Sequence, residues 1–278
     1  MLLVDKPAGI TSHDVVAVTR RALGLRRIGH AGTLDPFATG LLVLLVGRAT
    51  RLLPYMDGEP KEYEATVRFG AETDTDDVTG VVTRTAALPD RGDVARGISA
   101  LTGEIEQMPP AFSAKRVAGR RSHDAARRGE SLALAPARIT VHGWAVRQWR
   151  REALEVVITC SGGTYVRALA RDLGRLAGSA AHLVALRRLR SGAFTVREAE
   201  PLDAVRAGAV AIRPPLDAVR SLPIERLEER AIARVTRGLA VPALTDGLRA
   251  ALVDAGGALV SIAERSGDQW QPRVVLRD

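Results

Sequence analysis

The segment Gly29-His30-Ala31-Gly32-Thr33-Leu34-Asp35-Pro36-Phe37-Ala38-Thr39-Gly40 sets one carboxylate in a glycine-rich loop, flanked by a histidine and two threonines. Gly29, Gly32 and Gly40 permit close backbone approach, and Pro36 fixes the chain just after Asp35. A carboxylate displayed in this way can act as a nucleophile or a general base. It can also close an Asx turn on its own backbone, and from spacing alone that plainer reading is the expectation. Other chemistries lack a motif. There is no His-Glu-x-x-His, no Cys-x-x-Cys and no P-loop, so neither a metal site nor nucleotide hydrolysis is expected. The run Asp74-Thr75-Asp76-Asp77-Val78-Thr79-Gly80 invites a calcium reading, but Thr85 stands where an EF-hand loop needs its closing glutamate. An aspartate-rich turn is the expectation there.

Charge is the second signal. The chain of 278 residues carries 40 Lys and Arg against 32 Asp and Glu, a net of +8. Lys115 to Arg151 holds ten basic residues against Asp124 and Glu130, so that window is itself +8 and the remainder balances at 30 against 30. A localised basic segment is what a phosphate backbone requires, although a solvated face produces the same composition. Nearly all the positive charge is arginine, since only Lys6, Lys61 and Lys115 are lysines. No stretch approaches the roughly 18 apolar residues of a membrane helix. The N-terminus does not read as a signal peptide, and the single cysteine, Cys160, excludes an internal disulfide and fits a reducing cytoplasm.

These residues need elements to hold them. Leu2 to Val4 predicts a short strand, and Ser12 reads as the N-cap of a helix carrying Val15, Val16 and Leu23 and ended by Gly24. The Asp35 loop feeds the apolar strand Leu41 to Val46. Tyr63 to Phe69 alternates apolar and polar residues as a half-buried strand does. Val94 to Leu101 predicts a helix, Ile139 to Trp149 and Leu154 to Cys160 predict strands, Thr164 to Leu176 a helix, and Leu183 to Leu189 a strand. The basic window is expected to hold a hairpin and a short helix capped by Ser122, with Trp144 and Trp149 as buried strand residues. Such a pattern predicts an α+β domain on a mostly antiparallel sheet. Pro214-Pro215 and Pro223 mark a boundary near residue 221. Beyond it, a helix from Glu225 to Thr236 and strands at Ala251 to Val253, Leu259 to Ile262 and Arg273 to Leu276 predict a small barrel-like β domain. The hexapeptide Pro-Leu-Asp-Ala-Val-Arg, at 201–206 and 215–220, reads as two helix starts with Asp at the N-cap.

The Asp35 loop closely resembles the signature of the TruB family of pseudouridine synthases, and other blocks follow in that family's order. Val4-Asp5-Lys6-Pro7 with Gly9 is similar to its N-terminal motif. Lys61-x-Tyr63 with Gly70 and Thr73-Asp74-Thr75-x-Asp77-x-x-Gly80 resembles the next block. Gly163-Thr164-Tyr165-Val166-Arg167 through Asp172-Leu173-Gly174, and Leu186-Arg187-Arg188-Leu189-x-Ser191-Gly192, resemble two more. The set spans residues 2 to 192.

The resemblance implies a catalytic domain over residues 1–221, with an RNA-gripping basic insertion at about 112–140. A diverged PUA-like RNA-binding domain would follow over 222–278. It implies isomerisation of a flipped-out uridine, at position 55 in the T loop of tRNA, with no cofactor and no metal. Asp35 would be the catalytic carboxylate, attacking C6 or C1′ or abstracting a sugar proton. Arg167 would pair with it and keep it ionised, and Tyr63 would stack on the base and assist at C5. Tyr165 and Leu186 would line the uracil pocket, His30 would meet the flipped nucleotide, and Lys6 would contact or support the loop. Lys115, Arg116, Arg120, Arg121, Arg127 and Arg128 would hold the T-arm backbone against the few kcal/mol of base flipping. Two other readings stand beside this one: a non-catalytic tRNA-folding factor, and a guide-RNA-dependent enzyme of the dyskerin type. A monomer without membrane partners is the expected state.

Overall fold

The computed structural model describes residues 1–112, 116–117, 120–121 and 134–277, the two short pairs by backbone only. The expected helix at Ser122, and Lys115, Arg127 and Arg128, lie outside these residues. Packing divides the chain into two compact units, Met1–Asp35 with Leu41–Gly58 and Val196–Asp278, and Pro36–Gly40 with Glu59–Thr195.

The second unit is built on antiparallel pairing. Lys61–Phe69 pairs with Ala153–Cys160 on one side and Ala181–Ser191 on the other. Ala137–Trp149 continues the sheet beyond Ala153–Cys160, and Gly103–Gln107 pairs with its first half. At the other side Thr39 and Gly40 run parallel to Arg187 and Arg188. The alternation in Lys61–Phe69 does what period two requires: Tyr63, Ala65, Val67 and Phe69 are buried, while Glu64 and Arg68 face solvent. Leu154, Val156 and Ile158 oppose Val67, Ala65 and Tyr63 on the same face. The helix Val166–Leu176 packs there through Leu169 and Leu173, both without exposed surface. Its Gly174 lies so close to the next strand that a Cβ would sit 2.5 Å from the Ala181 nitrogen.

Every strand expected here exists, each longer than its apolar run, because cross-strand pairing carries polar flanks along. Gly103–Gln107 was not expected. Its five residues include two glutamates, and only pairing with Ala137–Val141 makes it a strand. Arg116–Val117 and Arg120–Arg121 form the expected hairpin. Trp144 and Trp149 are half-buried rather than buried; Trp149 packs 5.7 Å from Phe69 with the Arg91 guanidinium 5.8 Å from its ring.

The first unit holds Leu2–Lys6, parallel to Glu200–Pro201, and Ile28–His30, antiparallel to the end of Thr39–Val46. Leu2, Val4, Leu42 and Leu44 join Val15 and Val16 of the helix Ser12–Leu23 in one core with Leu202 and Val205. That helix is capped by Thr11, not Ser12. The Thr11 hydroxyl accepts from the Asp14 N–H, and Asp14 returns the bond to the Thr11 N–H in a capping box. Gly24, at φ 65°, closes the helix as expected. Both copies of Pro-Leu-Asp-Ala-Val-Arg start helices, an α-helix and a 3-10 helix, but Pro201 and Pro214 occupy the N-cap and the aspartates lie in the first turn.

The C-terminal segment of this unit is a five-stranded sheet, Ile224–Arg226, Arg249–Val253, Leu259–Ser266, Gln269–Val275 and Val241–Pro242 in spatial order. The helix expected over 225–236 is shorter, Glu229–Val235, and Ile224–Arg226 is a strand. The cause is Glu225, whose buried carboxylate accepts from Trp270 Nε1 (2.6 Å), the Leu244 and Thr245 amides and the Thr245 hydroxyl. Reaching all four draws its backbone into the sheet.

Candidate active site

Asp35 is half-buried in a stretch without regular structure. The residue before it is fastened: the Leu34 N–H donates to Ser12 Oγ at 2.9 Å, and the same hydroxyl donates to the Leu34 carbonyl at 3.2 Å. Ser12, freed from capping, therefore anchors the loop to the start of a helix. His30 ends the strand Ile28–His30, its ring 6.0 Å from that of His13 in an edge arrangement. Lys6 has no exposed surface, and its ammonium donates to the carbonyls of Pro7 (3.0 Å) and Ile10 (2.7 Å). It holds the turn between the first strand and the first helix. Lys6, His30 and Asp35 thus belong to one unit.

Tyr63, Tyr165, Arg167 and Leu186 belong to the other. Tyr63 is buried in the central strand, opposite Ile158 on one neighbour and Arg188 on the other, and Leu186 stands opposite Ala65, two residues along. Gly40 approaches the Arg188 backbone so closely that a Cβ would lie 2.3 Å from its carbonyl oxygen. Gly40 also has φ 99°, so glycine alone suits that contact.

Arg167, in the first turn of its helix, is 4% exposed. Its guanidinium donates to the carbonyls of Thr75 (2.7 Å) and Phe112 (2.9 Å) and lies 3.4 Å from Asp77 Oδ2. Asp77 is itself fixed, because its Oδ1 accepts from the Thr79 amide and from the hydroxyls of Thr75 and Thr79. The aspartate-rich turn expected from the sequence is therefore a mount for an arginine. One helical turn on, Arg171 meets Asp76 at 2.9 Å and the Met108 carbonyl at 3.0 Å. Burial pushes the Asp76 carboxyl up to about 6, against the pull of Arg171 and Arg167. A buried charge is tolerated only when paired in this manner.

Tyr165, the residue before the helix, is half-buried, and its main chain is braced by Gln107. An open cavity of about 310 Å³ in the same unit is lined by Phe37, Thr39, Glu64, Thr66, Glu155 and Leu186, among others. Of the residues assigned to the base, Leu186 alone lines it. Reading the sequence missed Ser12 as an anchor, Gln107 as a brace, and the Asp76–Arg171 pair. Ser12 had a weak signal, two candidate caps in tandem; Gln107 had none, because its partner is 58 residues away.

A family model described as TruB family pseudouridylate synthase (N terminal domain) matches residues 20–166. The chain is 44% identical to the tRNA pseudouridine synthase B of Thermobifida fusca (strain YX), an alignment covering 99% of this chain and 98% of that protein. It is 49% identical to the tRNA pseudouridine synthase B of Leifsonia xyli subsp. xyli (strain CTCB07) over 82% of this chain and 78% of that one. Among solved structures, a chain of a Cbf5-Nop10-Gar1 complex matches with a TM-score of 0.73 at 25% identity, covering 99% of this chain and 84% of the other.

Proposed function

Because this chain belongs to the TruB family of pseudouridylate synthases, we propose that it converts a uridine of tRNA to pseudouridine, at position 55 in the T loop. The observation that carries this reading is the alignment, along nearly its whole length, with a protein named tRNA pseudouridine synthase B. This chain carries the Asp35, Tyr63 and Arg167 motifs quoted above. The reaction breaks the bond from ribose C1′ to uracil N1, turns the base, joins C1′ to C5, and moves the C5 proton to solvent while N1 gains one. Nothing is oxidised and no group leaves, so the chemistry calls for no cofactor.

Asp35 is the reactive carboxylate in this proposal. Its loop supports the role, since Ser12 tethers the residue before it and the fixed φ of Pro36 stiffens the chain directly after it. Arg167 supplies the positive charge, fixed in advance by Thr75, Phe112 and Asp77. Tyr63 offers a ring to the flipped base, Tyr165 and Leu186 line the uracil pocket, His30 meets the flipped nucleotide, and Lys6 contacts or supports the loop. The basic insertion at 112–140, through Lys115, Arg116, Arg120, Arg121, Arg127 and Arg128, holds the T arm. Residues 1–221 form the catalytic domain and 222–278 the PUA-like domain of a cytoplasmic monomer.

The test is tritium release from an unmodified tRNA transcript labelled at uracil C5, comparing wild type with Asp35→Asn. Release by wild type alone, mapped to the T-loop uridine, is the expected result. A folded wild type that binds tRNA without release would replace this reading with a folding factor or a guide-dependent enzyme.

A further inference from the structure

Gln107 is 2% exposed and ends the strand Gly103–Gln107. Its amide makes two bonds to one residue: the Tyr165 N–H donates to Gln107 Oε1 at 2.8 Å, and Gln107 Nε2 donates to the Tyr165 carbonyl at 3.0 Å. This is the pattern by which one strand residue pairs with another, made here by a side chain. Tyr165 is the N-cap of the helix Val166–Leu176, with φ −97° and ψ 106°, and no side-chain hydrogen bond caps that helix end. The brace therefore fixes the point from which the helix, and Arg167 in its first turn, departs. The residues following Gln107 run along the same helix: the Met108 carbonyl takes Arg171 and the Phe112 carbonyl takes Arg167.

We infer that Gln107 is a positioning residue for pseudouridine formation, its amide setting the backbone of Tyr165 and through it the ring of Tyr165 and the guanidinium of Arg167. The inference rests on the activity proposed above. It is specific to an amide, because the site needs one acceptor and one donor a carboxamide's width apart. A carboxylate supplies two acceptors, and one of them would face the Tyr165 carbonyl. A protonated carboxyl again supplies one of each.

That difference gives the test. Single-turnover rates and tRNA dissociation constants are measured for wild type, Gln107→Glu and Gln107→Ala between pH 5 and pH 8.5. At pH 8.5 both variants are expected to turn over at least about tenfold more slowly than wild type, with tRNA binding unchanged. Burial and the facing Tyr165 carbonyl both favour the protonated form of a carboxyl at this position. As pH falls, the Gln107→Glu rate relative to wild type therefore climbs toward one, while the Gln107→Ala ratio stays flat. A simple packing role gives a Gln107→Glu ratio independent of pH, and that result overturns the inference, as does a deficit confined to tRNA binding. If wild type releases no tritium, the activity reading fails by itself. The brace is then decided by hydrogen exchange at the Tyr165 amide, which accelerates in Gln107→Ala if the brace exists and is unchanged if it does not.

Discussion

The hydroxyl of Ser12 both accepts from the Leu34 N–H and donates to the Leu34 carbonyl, so one side chain at the start of a helix fixes the residue immediately before Asp35. Ser12 is 2% exposed, and both hydrogen bonds are buried. Ser12→Ala leaves two main-chain groups without that partner, and a loss of about 1–3 kcal/mol is expected. Turnover should fall while tRNA binding holds, because the displaced group is the loop rather than the RNA surface. Urea denaturation and single-turnover kinetics on the same preparation check both parts.

Gly40→Ala should be more damaging. A methyl group there meets the Arg188 carbonyl at 2.3 Å in a backbone conformation of φ 99° that side chains avoid. The parallel pairing of Thr39 and Gly40 with Arg187 and Arg188 must open to relieve it. A destabilisation of about 3 kcal/mol or more is expected, read as a lowered urea midpoint.

Arg167→Lys tests whether charge alone suffices. The guanidinium reaches Thr75, Phe112 and Asp77 together, and an ammonium cannot span all three. Turnover should drop at least about a hundredfold. Stability should fall by about 3 kcal/mol as Asp77 loses its buried partner. Retained turnover would show that a positive charge in any geometry is enough.

Asp76 gives a pH signature. Burial raises its carboxyl to about 6 from an ordinary value of 3.8, with Arg171 and Arg167 opposing and Asp172 reinforcing the shift. A raised acid favours the folded state while protonated, so its contribution is complete below the unfolded value and is lost as pH rises through 6. Asp76 sits at φ 60°, a conformation that asparagine also adopts readily, so Asp76→Asn isolates the charge. The stability of wild type relative to Asp76→Asn is expected to decline from about pH 4 to just above pH 6 and to level off beyond it. Unfolding curves showing a constant difference would assign the site no titration in that range.

The basic insertion is tested through salt. Replacing Arg120, Arg121, Arg127 and Arg128 with Gln should weaken tRNA binding and flatten the plot of log affinity against log salt by up to about three units of slope. An unchanged slope would remove those residues from the RNA interface.

Much of the scaffold was legible in local pattern. The period-two run Tyr63–Phe69 and the helical spacing of Val166, Leu169 and Leu173 each announced an element, because burial on one face imposes a period that survives in the sequence. Ile224–Arg226 shows where that signal ends. Glu225 looked like the start of a helix, and four donor groups of Leu244, Thr245 and Trp270 pulled it into a strand. The strand Gly103–Gln107 likewise owes its existence to its neighbour.

What the sequence determined by itself was the chemistry on offer: a carboxylate in a glycine-rich loop, tyrosines and an arginine in ordered motifs, and a confined basic segment. Side-chain identity and short spacing carry that information directly. Only the tertiary structure decided what holds those groups. Ser12 clasps Leu34, Gln107 braces Tyr165, and Thr75, Asp77 and Phe112 mount Arg167, across separations of 22 to 92 residues. Hydrogen bonds depend on where donors and acceptors arrive in space, and no local periodicity records contacts made at such distances along the chain.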